Sequence, residues 1–114
     1  MSVVTNAILH MGVLDQEEEP ELLKEVNFFF SDGRRGFVLV DDPSLPSGWY
    51  GGSKMLECSL AIGAFNHLDL NALLAHLREV DWPTDQRDLV QLIVKEQNDD
   101  SFRIINVCKM LERE

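Results

Sequence analysis

Hydrophobic positions along the chain alternate between two periods, and the switch is sharpest in the middle. Over residues 54–65 the set Leu56, Cys58, Leu60, Ile62 and Ala64 recurs at every second position, which predicts a strand with that set facing inward. After Asn66-His67-Leu68 the spacing changes. Leu70, Leu73, Leu74, Leu77 and Val80 recur at helical intervals behind Asp69, a residue type that caps helix N-termini. Strand and helix are expected to cover each other, with Leu60 against Leu73.

The flanking segments complete that two-layer core. Residues 3–13 alternate as a strand, with Val3, Thr5, Ala7, Leu9 and Met11 as its better-buried face. An acidic cluster at 15–21 surrounds Pro20, and both features suit a first helical turn, so a helix is expected from near Glu19. Its apolar stripe is Leu22, Leu23, Val26, Phe29 and Phe30, and Ser31-Asp32-Gly33 ends it. Residues 36–40 read as a short strand. Residues 41–53 hold Pro43, Pro46, Gly48, Gly51 and Gly52 and form a long irregular connection. Beyond the second helix, Trp82 precedes Pro83 and is expected to be extended. Residues 89–97 alternate again, with Val90, Leu92 and Val94 on one side and Gln91, Ile93 and Lys95 on the other. The polar turn 98–100 leads into a hairpin partner over 101–108.

This order predicts a single α+β domain over residues 1–114. The expected form is a ferredoxin-like β-α-β-β-α-β sandwich with both helices on one face and an extra edge strand from the C-terminal hairpin.

Composition narrows the function classes. The 114 residues are 45% hydrophobic and 26% charged, within the ordinary globular range. Twenty acidic residues against ten basic ones give a formal charge of −10, which repels a phosphate backbone, so nucleic acid is not an expected partner. The amino terminus has no basic n-region, and no apolar run approaches the roughly 18 residues of a membrane span. A cytoplasmic chain that does not enter a membrane is expected. Cys58 and Cys108 are far apart and outside any CxxC pair, which favours two reduced thiols.

No stretch carries an evident catalytic constellation. Gly51-Gly52-Ser53-Lys54 has the lysine entering a strand rather than a helix, unlike a phosphate-binding loop. His10, His67, His76 and the two cysteines lack zinc-ligand spacing. Cys58, His67 and Asp69 invite comparison with a thiol, base and orienter, but Cys58 is expected to point inward and Asp69 to cap a helix. His10 with Glu57 is the remaining acid/base pair. No cofactor or metal is expected.

Two readings follow. The first is a small acidic binding protein of the inhibitor or immunity type that docks a basic protein partner, with Trp49 and Tyr50 in the Gly-rich loop as anchors. The alternative is a small dimeric ferredoxin-like enzyme or ligand-binding domain with a pocket between the sheet and the 41–53 loop. A homodimer is further suggested by the sheet face away from the helices. That face is placed at Glu57, Ser59, Ala61 and Gly63 with Gln91, Ile93 and Lys95, making Ala61 and Ile93 candidate partner-binding residues.

Overall fold

A computed structural model describes residues 4–15, 17–30, 36–40 and 58–108. Within them the chain is a small α+β domain in which two helices pack on a five-stranded antiparallel sheet. The strands are β1 (Val4–His10), β2 (Val38–Leu39), β3 (Leu60–Asn66), β4 (Gln91–Glu96) and β5 (Arg103–Asn106). Helix α1 (Glu18–Asn27) lies between β1 and β2, and helix α2 (Leu70–Glu79) between β3 and β4. The sheet order is β2-β3-β1-β4-β5, so β1 is central and is paired with β3 on one edge and β4 on the other.

Strand β1 follows its sequence pattern. Thr5, Ala7, Leu9 and Met11 are buried, while Val4, Asn6, Ile8 and His10 are half-buried on the opposite face. Cross-strand partners share a face, so β1 dictates the side on which its neighbours' residues stand. Leu9 opposes Leu92 and Ile8 opposes Ile93, which puts Val90, Leu92 and Val94 inside, as the alternation of β4 predicts. Just past β1 the ladder is irregular. Met11 N donates to Ser59 O and Ser59 N donates to Gly12 O, both at 2.8 Å, so two residues face one, as in a bulge. Gly12 adopts φ +89°, and a Cβ there would meet Gln86 Oε1 at 2.7 Å. The positive φ calls for glycine, whereas the Gln86 amide could swing aside.

Strand β3 corrects the sequence reading. Leu9 opposes Ala61, Ala7 opposes Gly63 and Thr5 opposes Phe65, so the odd-numbered residues of β3 face the helices. Ser59, Ala61 and Phe65 are buried, whereas Ile62 is 49% exposed and Leu60 only half-buried on the open face. The expected Leu60–Leu73 core pair is therefore absent: Leu73 is fully buried, and Leu60 stands on the other side of the sheet. The physical reason is volume. The Phe65 ring folds back over Gly63, stacks on Phe30 with centroids 4.7 Å apart, and meets Phe37 edge-on at 5.1 Å. Small residues at 61 and 63 leave room for this aromatic cluster. The buried Ser59 hydroxyl is satisfied by the Glu19 carboxylate at 2.7 Å and by Leu14 N at 3.3 Å.

Both helices pack on the odd-numbered face of β1, since Leu22, Val26, Leu73, Leu74 and Leu77 join the same core cluster as Ala7, Leu9 and Leu92. Asp15 and Glu18 form a reciprocal capping box at the start of α1: Glu18 N donates to Asp15 Oδ1 at 2.8 Å, and Asp15 N donates to Glu18 Oε1 at 3.2 Å. Asp69 caps α2 as expected, accepting from Ala72 N at 3.1 Å. Trp82 turns back into the core, and its Nε1 donates to the Leu77 carbonyl at 2.8 Å, satisfying a backbone acceptor of the last turn of α2. Strands β4 and β5 form the predicted hairpin.

The corrected β3 orientation generates a differential prediction. Leu73→Ala removes a fully buried side chain and is expected to cost ~2–5 kcal/mol, whereas Leu60→Ala is expected to cost about 1 kcal/mol or less. Urea melts measure both, and equal large losses would contradict the placement of Leu60.

Candidate functional site: an acidic surface on the two helices

Among the described residues, the outer surface of α1 and α2 carries a cluster of carboxylates. The first turn of α1 carries Glu18, Glu19 and Glu21, where carboxylates are stabilised by the helix dipole. The helical period brings Glu21 and Glu25 to one side of α1, next to Glu79 near the end of α2. Two shallow hollows that share Glu21 run along this surface. One, of about 490 Å3, is bordered by Glu21, Lys24, Glu25, Phe28, His76, Glu79 and Val80. The other, of about 470 Å3, adds Glu17, Glu18 and Asp81 around Trp82 and Pro83. Together their borders hold six carboxylates and one lysine.

The seam between the helices is held by polar contacts. His76 Nε2 lies 2.9 Å from the Glu25 carbonyl oxygen, which can only accept, so the proton sits on Nε2. The His76 ring also tilts against Phe29, with centroids 5.6 Å apart. Asp81 N donates to Glu25 Oε1 at 3.2 Å. His76 is thus half-buried and bonded to α1, where the helical phase alone suggests a solvated residue. Phe28 falls outside the apolar stripe of α1 and is 74% exposed beside these carboxylates. Buried Val80 and Trp82 floor the surface. An apolar edge set among carboxylates suits a partner that carries both basic and apolar groups.

The residues singled out from sequence scatter. Trp49 and Tyr50 lie outside the described residues, as do Glu57 and the 41–53 loop of the alternative pocket reading. Ala61 is fully buried beneath the helices, so it is not available to a partner. Ile93 is half-buried on the open sheet face, where it was expected. His10 is on that face too, with Nδ1 3.0 Å from Gln91 Oε1. His67 occupies the β3–α2 turn at φ +53°, and Asp69 serves as the α2 cap, so neither is arranged with Cys58 as a catalytic set. Among the described residues, no group of three or more His, Cys, Asp or Glu side chains is placed to hold a metal ion. None of the described helices is long and apolar enough to cross a membrane.

Cys58 and Cys108 are free and half-buried. Burial pushes the Cys108 thiol above its ordinary range, and the nearby Arg87 and Arg78 only partly oppose this. Such a thiol is the reverse of an activated nucleophile. Comparisons with protein-family models, curated proteins and solved structures give no match.

The Cys108 environment predicts slow alkylation. At pH 8 iodoacetamide should modify Cys108 more slowly in the folded protein than in urea, because a raised pKa lowers the thiolate fraction. Peptide mass spectrometry measures both rates, and a faster reaction in the fold would show an activated thiol.

Proposed function

We propose that the chain is a non-enzymatic binding protein of the inhibitor or immunity type that docks a basic protein partner through the outer surface of α1 and α2. One observation carries the reading: six carboxylates and a single lysine border the two hollows that flank Glu21, with the exposed Phe28 ring among them. Such a surface steers a positively charged partner by long-range attraction, while the aromatic ring provides an anchor that is desolvated on contact. Trp49 and Tyr50 are proposed as further anchors. A cytoplasmic location is part of the same proposal, supported by the two free thiols, Cys58 and Cys108, which suit a reducing compartment.

The finer fold assignment belongs here as well. We propose a single ferredoxin-like domain extended by an edge strand. Helices between β1 and β2 and between β3 and β4 support it, as does the central position of β1. The sheet departs from the four-stranded form by the addition of β5 at the β4 edge.

Affinity capture from the native cell, with quantitative mass spectrometry, tests the docking surface. Wild-type protein should retain a basic partner whose binding weakens as salt rises. Glu21→Lys with Glu79→Lys should release it while leaving the melting midpoint nearly unchanged, and Phe28→Ala should weaken it at least tenfold. Trp49→Ala with Tyr50→Ala should behave like Phe28→Ala. A partner set retained equally by wild type and the charge-reversed variant would rule out this surface.

A further inference from the structure

The sheet face away from the helices carries one continuous row of β-branched apolar side chains. Val38 on β2 opposes Ile62 on β3, Ile62 opposes Ile8 on β1, Ile8 opposes Ile93 on β4, and Ile93 opposes Ile104 on β5. Each strand contributes one residue, and cross-strand partners stand side by side on one face. Three of the five are well exposed: Val38 at 45%, Ile62 at 49% and Ile104 at 62%. A stripe spanning a whole sheet is a different matter from scattered surface apolar residues.

Charge sets this face apart from the helical one. Although the chain has 20 acidic residues, the strand residues facing this way include no carboxylate among those described; the row is flanked by Asn6, His10, Gln91, Lys95 and Asn106. A basic partner has nothing to recognise here. For a second copy, which also carries a formal charge of −10, this is the face where carboxylates do not oppose approach.

Shape adds the same preference. The most exposed member, Ile104, stands at the β5 end of the row, while at the β2 end a hollow is lined by Gly36, Val38, Ile62, Gly63 and Ala64. A two-fold axis running along the central strand β1 brings the β5 end of one copy over the β2 end of the other and pairs Ile8 with its symmetry mate. Knob and hollow then meet twice, the self-complementarity an isologous interface requires. The strands differ in length, from two residues in β2 to seven in β1 and β3, and at ~3.3 Å per residue and ~4.8 Å between strands they present roughly 400 Å2 per copy, about 800 Å2 in total, the size of a weak, concentration-dependent association.

We propose that this face is a self-association surface: two copies pack sheet to sheet, with Ile104 of each seated in the hollow beside Val38 and Ile62 of the other. The proposal is independent of the acidic docking surface, which lies on the opposite side of the sheet and would be displayed twice, facing outward.

Sedimentation equilibrium tests it at concentrations up to about 200 μM, the range a small interface requires. Wild type is expected to approach twice the 13.0 kDa chain mass. Ile104→Glu and Val38→Glu, at exposed positions and verified as folded by circular dichroism, should each be monomeric. Glu21→Lys with Glu79→Lys should still dimerise, separating this test from that of the docking surface. In a Cys58→Ser, Cys108→Ser background, Ile104→Cys mixed with Val38→Cys should be joined by a short bis-maleimide into a mixed dimer in preference to either self-linked species, because the two-fold axis sets β5 over β2. A monomeric wild type at the highest concentration would overturn the proposal. So would folded Ile104→Glu and Val38→Glu variants that keep the dimer mass.

Discussion

The double pairing of β1 is the constraint on which the rest of the structure depends. Because both its edges are hydrogen-bonded, its alternation is imposed on β3 and β4 together, and through them on β2 and β5. A slip of one residue in either register would move an entire apolar set to the wrong side of the sheet. The odd-numbered face of β1 contains Leu9 and Met11, both fully buried, and the even-numbered face contains Asn6 and His10. Burying the latter without partners would cost more than any gain available to β3 from presenting Ile62 to the helices.

That constraint sorts charge as well as packing. Turns and helix surfaces take the carboxylates, where water, capping bonds and the helix dipole accommodate them; Asp15, Glu18 and Asp69 each bond a backbone N–H in this way. The open sheet face receives the apolar row, a few uncharged polar groups and Lys95, but no carboxylate among the described strand residues. The described residues therefore form two unlike surfaces, one bordered by carboxylates and the other carrying the apolar row. Exposed ion pairs such as Arg103 with Glu96, 3.1 Å apart, contribute little to holding the fold together.

Much of this was legible in the sequence, and the exceptions have identifiable causes. The order of elements, the buried faces of β1 and β4, and the Asp69 cap follow from periods of 2 and 3.6 and from one residue type at one helix end. Local alternation misleads at strand β3 because both of its parities are apolar and Leu60, Ile62 and Ala64 outweigh Ala61 and Phe65 in bulk. The decision rests on the ring of Phe65 and on pairing with β1, and pairing is a long-range fact that local alternation does not contain. The local pattern also points to Ala61 as a partner contact on the open face, whereas the pairing with β1 buries it and leaves Gly63 beneath the Phe65 ring. The Trp82-Pro83 step predicts only an extended residue, whereas the Trp82 Nε1 bond to the Leu77 carbonyl depends on how the chain turns back beneath α2. The acidic surface was legible as composition only, since the approach of Glu79 and Asp81 to Glu21 and Glu25 needs both helices in place.

The assignment of faces across β3 is the claim from which the core and the apolar row both descend. Methyl-resolved nuclear Overhauser spectroscopy tests it most directly. Ile62 methyl groups should show contacts to Ile8 and Val38, and the Ala61 methyl group to Leu9 and the helix residues above it. Strong contacts from Ile62 to Leu73 or Leu77 would contradict the account.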